Sequence, residues 1–315
     1  MKSILSISTC QRRLMGTLVL LNMFFCTGVN ATSALNATHY DLAIVNTTVI
    51  SPERDTVQEN VVVLIRDGII AAIVPKSEQY TASETLNGNN QFLIPGLIDS
   101  HVHLYHATGL KQRYAKNFEA LYSAYMKQMP KSYLYHGFTT VIETNADKES
   151  NETFMSAEIR PDLKHCGSGL VLSDGYMASE IPSGELSKYA PNFLYDNYRK
   201  GYLPEGVDPV EHSPHSTVAT IAATGASCIK VYYEEALWMP GGADHIALPS
   251  VELITDVVNE AHALGLVVIM HATSPNGHTM ARKSGVDIIS HGPWDWIDND
   301  YNNPNIPKFI EQNLK

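Results

Sequence analysis

Two histidines in the segment LIPGLIDSHVHL could bind one metal ion together. His101 and His103 are separated by one residue, at the end of an apolar run that is typical of a buried strand. Residues i and i+2 of a strand point to the same side, so both imidazoles could reach the same ion. Asp99 lies on the same face and is predicted to support the strand end or to assist behind the histidines. A single His-x-His pair is common by chance. This pair indicates a metal site because it lies at a strand end that follows a Pro-Gly turn.

A lysine interrupts the apolar run CIKVYYE. Lys230 lies between Ile229 and Val231, and a buried lysine is costly unless it is paired or has lost its charge. Burial lowers the pKa of an amine and frees it for chemistry. The alternative interpretation is a lysine whose amine reaches solvent at the end of the strand.

Two further histidines close the apolar runs LVVIMHAT and VDIISHG. One histidine at a strand end is usually a hydrogen-bonded structural residue. His271 and His291, however, follow consecutive strands, and these strands come after the His-x-His strand and the lysine strand. In a parallel barrel all strands present their carboxyl ends to one face, where the side chains meet. Histidine ligands suit zinc and related ions.

Strand-like and helix-like segments alternate from Ile94 onward, which predicts βαβ units and a parallel sheet. The clearest helix is PSVELITDVVNEAHALG, with Pro249 in its first turn and Gly265 at its end. The segment from Ser183 to Pro214 is predicted to be a long loop over one face. The six strand-like runs are FLIPGLID, FTTVIET, SGLVLSD, CIKVYY, LVVIMH and VDIIS.

An all-β unit is predicted before this region, over residues 40–93. The run YDLAIVNTTVI reads as one strand, and NVVVLIRDGIIAAIV reads as two strands joined by a turn at Asp67-Gly68. A turn at Asn87 to Asn90 is expected to close the unit.

A signal peptide is predicted over residues 1–31. Lys2, Arg12 and Arg13 precede the apolar run LMGTLVLLNMFFCTGV, and Val29-Asn30-Ala31 fits a small-x-small cleavage site. The alternative is an uncleaved membrane anchor, although a spanning helix needs about 20 apolar residues. The prediction is therefore a secreted or periplasmic protein with no stable membrane association after removal of the signal.

Composition excludes one class of partner. The chain of 315 residues is 44% hydrophobic and 17% charged, which is ordinary for a globular protein. Its net charge is -11, with no basic stripe, and no nucleic acid is expected as a partner because phosphate binding needs clustered Lys and Arg.

Cys166 and Cys228 are expected to be two small buried thiols. A disulfide between them is the alternative that an exported compartment would permit.

The order of the motifs resembles that of the metal-dependent amidohydrolase superfamily. The segments are IPGLIDSHVHL, GFTTVIET, GASCIKVYYE, VVIMHA and KSGVDIISHG, and the most similar branch is the imidazolonepropionase-related and prolidase-like one. The likeness covers most of Asp41 to Gly292. It implies an α/β fold, a (β/α)8 TIM-like barrel with about six of the eight strands here, over residues 94–315. It also implies a small β-sandwich portion over residues 40–93.

The resemblance also implies a site and a reaction. Two divalent metal ions, expected to be Zn²⁺, would be held by His101 with His103 and by His271 with His291. Lys230, carboxylated by carbon dioxide, would bridge them and is the predicted catalytic residue. The implied reaction is hydrolysis of a C–N bond in an amide, cyclic amide or dipeptide by a metal-activated water. The expected partner is a small-molecule or dipeptide substrate, and a homo-oligomer is left open.

The sequence departs from the family at one point. The family has a proton-shuttling Asp at the end of the eighth strand, whereas Asp295 and Asp298 follow the sixth strand and do not match that position. We therefore expect a C-terminally truncated chain or an incomplete sequence, with a divergent protein as the alternative. The competing functional hypothesis is a non-catalytic metal-binding remnant of an amidohydrolase.

Other residues near these motifs carry weaker predictions. The histidines of EHSPHS are expected to lie in a solvated loop, with the mouth of the site as the alternative. One of the three residues after Val231 is expected either to contact substrate or to pack. The two tryptophans after Gly292 are expected to wall the pocket or cover the barrel end. These residues are His212, His215, Tyr232, Tyr233, Glu234, Trp294 and Trp296.

Overall fold

The computed structural model of the protein describes residues 38–107, 109, 117–182, 184–237 and 246–294. The chain divides into two compact units, Met1–Ile94 and Pro95–Lys315. The predicted signal peptide lies outside the described residues. Among the helices that the structure describes, none has the length and apolarity that a membrane crossing requires.

The described part of the first unit is a four-stranded sheet in the order β3-β2-β1-β4. Its strands are β1 (His39–Val49), β2 (Gln58–Arg66), β3 (Ile69–Pro75) and β4 (Thr81–Leu93). The predicted hairpin is confirmed: β2 and β3 pair antiparallel, and Asp67 and Gly68 between them have φ of 54° and 74°. Positive φ at both central residues is what a two-residue hairpin turn requires. Ala43, Val62 and Leu64 form the buried centre of this unit.

The predicted turn at Asn87 to Asn90 is wrong, because this segment lies inside β4. Strand β4 pairs parallel with β1, and a step from Val45 to Thr47 on β1 matches a step from Asn87 to Gln91 on β4. The extra residues of β4 form a bulge, in which Asn89 and Asn90 have φ of 51° and 59°. Asparagine tolerates this left-handed conformation both in turns and in bulges, so its presence did not distinguish the two.

The second unit alternates strands and helices, as the sequence predicts. Its strands are β5 (Leu97–Val102), β6 (Phe138–Glu143), β7 (Asp162–His165), β8 (Cys228–Tyr233), β9 (Val267–Ala272) and β10 (Ile288–Ile289). Its helices are α1 (Glu119–Tyr135), α2 (Lys148–Met155), α3 (Leu186–Tyr189), α4 (Pro214–Ala222), α5 (Val251–Ala263) and α6 (Pro275–Ser284). The strands form two three-stranded sheets, β5-β6-β7 and β8-β9-β10, and every pairing in them is parallel.

Backbone hydrogen bonds join the two sheets at β7 and β8. The amide of Ser227 donates to the carbonyl of His165 at 2.8 Å, and the amide of Leu170 donates to the carbonyl of Lys230 at 2.8 Å. Leu170 also forms an isolated parallel bridge with Val231. The six strands therefore follow one another in chain order with their carboxyl ends on the same side. In the part of the chain that the structure describes, they do not close into a barrel.

The third strand of this series is not the predicted one. The run SGLVLSD forms only isolated bridges at Leu170 and Leu172, whereas β7 is Asp162–His165. Gly167 has φ of 64° and ends the regular strand before the apolar run begins. Leu170 and Leu172 are buried because they pack in the core cluster of this unit. A segment can pack in this way without forming a regular strand.

Helix α5 follows from its sequence almost residue by residue. The side chain of Ser250 accepts a hydrogen bond from the amide of Leu253 and caps the helix, so Pro249 precedes the cap and is not in the first turn. The apolar stripe faces inward, with the buried residues Leu253, Ile254, Val257, Val258 and Ala261. Gly265, with φ of 73°, follows the helix.

The expectation of two free thiols is wrong, because Cys166 and Cys228 form a disulfide. Cys166 directly follows β7 and Cys228 begins β8. The two residues are 62 positions apart in the chain, and they meet where the end of β7 and the backbone before β8 are joined by the hydrogen bond from Ser227 to His165. Both are buried, in a small cluster with Ile269.

The predicted loop from Ser183 to Pro214 is irregular over much of its described length, but it contains α3, and Pro214 begins α4. Ser183 itself lies outside the described residues. The fully buried carboxylate of Asp196 anchors this loop to the start of α5. It accepts the backbone amide and the hydroxyl of Ser250 at 2.7 and 3.0 Å, and Nε of Arg199 at 3.2 Å.

Candidate metal centre

The five residues predicted to bind metal line one cavity of about 290 Å³. His101 lies in β5 and His103 follows it, Lys230 lies in β8, His271 lies in β9, and His291 follows β10. Because these strands are parallel, their carboxyl ends lie on the same side of the unit; the four histidines come from these ends, and Lys230 comes from within β8.

The four imidazoles form a continuous series across this cavity. The ring centroids of His101 and His103 are 5.2 Å apart, and those of His101 and His291 are 5.0 Å apart. The centroids of His271 and His291 are 4.6 Å apart. Residues of the first and sixth strands of the series therefore face each other directly, which their separation in the sequence does not reveal.

Lys230 is buried, with 1% of its surface exposed, so it does not reach solvent at the strand end. Every residue of β8 is buried. The amine donates a hydrogen bond to Oγ of Ser290 at 2.5 Å. Burial lowers the pKa of Lys230 from 10.5 to about 7, opposed by the nearby carboxylate of Glu143. A large neutral fraction of the amine is therefore present near neutral pH.

Two of the histidines are held in the neutral form. Burial, followed by the charges of Lys230 and His103, lowers the pKa of His101 to about 4. Burial, followed by the charges of His271 and Lys230, lowers the pKa of His291 to about 4 as well. At pH 7 these two rings keep a free lone pair, which is the form that binds a metal ion.

Two buried carboxylates lie behind the histidines. Glu143, at the end of β6, is fully buried, and its Oε1 lies 3.6 Å from Nδ1 of His103. Glu234, directly after β8, is 3% exposed, and its Oε2 accepts a hydrogen bond from Nε2 of His271 at 2.7 Å. Sequence reasoning missed Glu143, and it considered Glu234 only as a residue that contacts substrate or packs. The signal for Glu143 was an acidic residue at the end of the apolar run FTTVIET, in the same place where other strands carry histidines.

Aromatic and polar side chains complete the wall of the cavity. The ring of Tyr176 stacks on His271, with centroids 5.1 Å apart and planes 17° apart. Tyr232 lies two residues after Lys230 on β8, and its buried hydroxyl has no hydrogen-bond partner among the residues that the structure describes. Burial raises the pKa of Tyr232 well above its ordinary value. The other residues of the wall are Tyr105, His106, Asn145 and Met177.

Three predictions around the strand ends have clear outcomes. Asp99 does not line the cavity; its carboxylate accepts the backbone amide of His101 at 3.3 Å and so supports the strand end. Tyr233 packs in the core cluster. The ring centroid of Trp294 lies 5.0 Å from that of His291. Asp295, Asp298 and Trp296 lie outside the described residues.

The two histidines of EHSPHS lie away from the cavity, and the expectation of a solvated loop is wrong for one of them. His212 is buried, stacks on Phe193 with centroids 3.6 Å apart, and its Nδ1 bonds to the carbonyl of Phe193 at 2.9 Å. His215 is exposed and contacts Glu260 at 2.9 Å.

No group of three or more His, Cys, Asp or Glu side chains within the described ranges is already arranged to hold a metal ion. The donor chemistry nevertheless fits one. Five imidazoles, His106 among them, share a cavity with a buried lysine, and two of the rings have a pKa far below neutrality. Nitrogen donors of this kind suit zinc and related divalent ions.

The chain belongs to the amidohydrolase family. The family match covers residues 92–302, more than half of the chain. This family is generally metal-dependent, and the matched region includes Lys230 and the four histidines predicted to bind metal.

Three solved structures show the same TIM-barrel-like α/β fold. An ochratoxinase from A. niger has a TM-score of 0.61 and 19% identity, over 86% of this chain and 63% of its own. A Xaa-Pro dipeptidase with bound methionine in the active site has a TM-score of 0.58 and 19% identity, over 87% and 65%. A prolidase complexed with N-methylphosphonate-L-proline has a TM-score of 0.60 and 22% identity, over 79% and 60%.

One curated relative is similar over a shorter stretch. The L-hydantoinase of Paenarthrobacter aurescens is 31% identical over 77 residues, which is 24% of this chain and 16% of the hydantoinase. The chain spans 60–65% of the length of the three solved structures.

Proposed function

We propose that this protein is a metal-dependent hydrolase that cleaves a C–N bond in an amide, a cyclic amide or a dipeptide. The observation that carries the proposal is the convergence of four imidazoles and one buried lysine on a single cavity. We further propose that the six parallel strands are the first six of a (β/α)8 barrel, and that residues 40–93 belong to a β-sandwich portion.

The proposed cofactor is a pair of divalent metal ions, Zn²⁺ in the first instance. His101 and His103 would hold one ion, His271 and His291 would hold the other, and carboxylated Lys230 would bridge them. The lowered pKa values of His101 and His291 support this assignment, because no proton has to leave these rings at pH 7. When bound, such ions activate a water molecule and polarise the substrate carbonyl.

Lys230 is suited to carboxylation. Its Nζ lone pair would attack the carbon of carbon dioxide, forming one N–C bond while an electron pair of one C=O bond moves to oxygen. One N–H proton then leaves to water, and a carbamate remains. This step needs the neutral amine, and the pKa of about 7 that burial imposes makes that form abundant near neutral pH.

The cavity suits a small substrate. Its volume of about 290 Å³ is at the lower end of ligand pockets in general. Tyr105, Tyr176 and Tyr232 offer ring faces against which apolar parts of a substrate would pack, and Asn145 offers a polar group. Small molecules and dipeptides are therefore the proposed substrates, and nucleic acid is not a proposed partner.

We also propose that the protein is exported, to the periplasm or the exterior. The disulfide between Cys166 and Cys228 supports this proposal, because disulfides persist in oxidising compartments. Intact mass of protein recovered from the exported fraction tests it. Loss of residues 1–31 with the disulfide intact is expected, and a full-length reduced chain recovered from the cytoplasm would contradict it.

Metal analysis combined with a substrate panel tests the proposed reaction. The protein is purified, supplied with zinc and bicarbonate, and assayed for bound metal and for hydrolysis of N-acyl amino acids, hydantoin-type cyclic amides and dipeptides. His103→Asn and His271→Asn should each lose metal and turnover. His215→Asn is the matched control, because His215 is an exposed histidine outside the cavity, and it should keep both.

The outcomes separate the two functional hypotheses. Metal bound without turnover of any substrate would favour the non-catalytic metal-binding remnant. A wild-type protein that binds no metal and hydrolyses nothing would refute both hypotheses. Intact mass under non-denaturing conditions should also show one added carbon dioxide, and Lys230→Gln should abolish that addition.

A further inference from the structure

We infer that the disulfide between Cys166 and Cys228 is a positioning link that holds the two halves of the candidate metal centre together. Full affinity for metal then requires that these two thiols are oxidised. The inference rests on the proposed function, because it treats the cavity as a metal site, and it adds a dependence on redox state to that site.

The candidate metal centre is built from two separate sheets. The sheet β5-β6-β7 contributes the two histidines at the end of β5, and the sheet β8-β9-β10 contributes the lysine and the other two histidines. The ring centroids of His101 and His291, one from each sheet, are 5.0 Å apart. The distances across the cavity therefore depend on how the two sheets are held against each other.

The backbone joins these two sheets less firmly than it joins the strands within them. Strand β8 pairs with β9 along its whole length, Cys228–Tyr233. The junction of β7 with β8 has instead the hydrogen bond from Ser227 to His165 and the one from Leu170 to Lys230. In the described part of the chain β10 and β5 are not paired, so the junction of β7 with β8 is where the two halves of the centre can separate.

The disulfide lies at this junction. Each cysteine directly follows one partner of the hydrogen bond between Ser227 and His165. Cys228 also lies two residues before Lys230 on β8. The covalent bond therefore fixes the start of β8 against the end of β7, close to the residue proposed to bridge the metal ions.

The two cysteines also supply packing between the sheets. Cys166 and Cys228 are buried in a small cluster with Ile269 of β9, and the partly buried Ile142 of β6 packs against it. A covalent link between distant segments restricts their separation, whereas a hydrogen bond that can be exchanged for one to water contributes little. Without the disulfide, the junction is therefore the place where we expect the second unit to open locally.

Opening of the junction lowers the affinity for metal, because only the closed form brings both sets of ligands to one cavity. Coupling between two sites of a protein typically changes affinity by about 5- to 150-fold. A loss of that size means that the closed form makes up only about 20% to 1% of the molecules that lack the disulfide.

The disulfide forms by thiol–disulfide exchange. The thiolate of one cysteine attacks oxidised glutathione, one glutathione thiolate leaves, and a mixed disulfide forms. The second cysteine attacks this mixed disulfide and releases the second glutathione, so two protons and two electrons pass from the protein to glutathione. Such oxidants prevail in oxidising compartments, and assembly of the complete metal centre would follow oxidation there.

Replacing both cysteines with alanine tests the effect on metal. The double variant Cys166→Ala/Cys228→Ala keeps small apolar side chains at the junction and leaves no thiol to which zinc could bind. Its affinity for Zn²⁺, measured by competition against a chelating dye, should fall by about 5- to 150-fold. Ile254→Ala is the control, because it removes a buried side chain of α5, outside both strands of the junction, and it should leave the affinity unchanged. Circular dichroism checks that both variants are folded.

Hydrogen exchange tests the junction without metal and without a variant. Metal-free wild-type protein is refolded with oxidised or with reduced glutathione. With the disulfide formed, the amides of Ser227 and Leu170 should be protected, because both donate across the junction. In the dithiol form, which would be closed in about 20% of molecules or fewer, these two amides should exchange at nearly the rate of an unfolded chain. Amides between β8 and β9 should stay protected in both forms.

The outcomes are distinguishable. Protection of the Ser227 and Leu170 amides in the dithiol form would overturn the inference, and so would a folded double variant with the zinc affinity of the wild type. Loss of protection throughout the second unit would also overturn it, because the disulfide would then act on the whole unit and not on the junction. If oxidised wild type binds no zinc, the proposed function fails, and hydrogen exchange still decides whether the disulfide closes the junction.

Discussion

Replacing Lys230 with methionine should stabilise the metal-free protein at neutral pH, and this gain should shrink as the pH rises. The amine of Lys230 is buried, and burial lowers its pKa from 10.5 to about 7. In the unfolded chain the amine keeps its ordinary pKa. Between pH 7 and pH 10.5 the unfolded state therefore binds more protons than the folded state, so the stability of the protein rises with pH over this range. The cost of burying Lys230 is absent above pH 10.5 and grows as the pH falls towards 7.

The size of the effect follows from the shift. Each pKa unit corresponds to about 1.36 kcal/mol, so the shift of Lys230 from 10.5 to about 7 costs the folded state about 5 kcal/mol at low pH. At pH 7, where the folded amine is half protonated, the cost is about 4 kcal/mol, and at pH 9.5 it is about 1 kcal/mol. Methionine has a similar length and no charge, so Lys230→Met removes this pH-dependent cost. The difference in free energy of unfolding between variant and wild type should grow by about 3 kcal/mol from pH 9.5 to pH 7.

Urea unfolding at both pH values measures the difference. Chelator and bicarbonate-free buffer keep metal and carbon dioxide from the amine. Lys164→Met is the control, because Lys164 is exposed on β7, and its difference from wild type should be nearly the same at both pH values. A Lys230→Met difference that changes by less than about 1 kcal/mol between the two pH values would refute the claim that burial depresses this pKa.

Three further substitutions test packing, the disulfide and the loop anchor. Gly169→Ala should cost about 1–3 kcal/mol in chemical denaturation, because the added Cβ would lie 2.4 Å from the hydroxyl oxygen of Tyr232. Cys166→Ser should cost about 4 kcal/mol under non-reducing conditions, from the unfolded-chain entropy of the lost link to Cys228 across 62 positions. Asp196→Asn should speed proteolytic cleavage within residues 184–213, because the amide cannot accept all the hydrogen bonds that anchor this loop to the start of α5.

Each of these substitutions has a control. Among the described residues, no atom lies within 4 Å of a Cβ added at Gly292, so Gly292→Ala should change stability by at most about 0.5 kcal/mol. Equal effects of the two alanine substitutions would contradict the steric argument. Thiol reduction should destabilise the wild type but not Cys166→Ser. Asp208→Asn alters an exposed turn in the same loop, and cleavage as fast as in Asp196→Asn would show that the buried anchor is not the cause.

Much of the fold was predictable because its signals are local. The hairpin at Asp67-Gly68, the cap and apolar stripe of α5, and the alternation of strands with helices all depend on residues a few positions apart. The third strand was mispredicted because SGLVLSD is apolar for a different reason, namely packing in the core after the backbone turns at Gly167. Burial alone does not distinguish a strand from an irregular segment.

The site was predictable only in part. Histidines and a lysine at strand ends indicated chemistry, since parallel strands bring such ends to one face. The carboxylates behind them were not recognised, because their partners are distant in sequence: Glu143 lies 40 positions after His103, and Glu234 lies 37 positions before His271. The disulfide was missed for the same reason.

The sequence by itself determined which side chains lie at the strand ends. The two-residue period of a strand and the alternation of strands with helices depend only on residues that are close together in the chain. Only the tertiary structure decided which of those ends face each other, how deeply Lys230 is buried, and which ring nitrogen each carboxylate contacts. These are properties of packing between segments far apart in the chain, and the free energies that select them arise only when β5 to β10 assemble around one cavity.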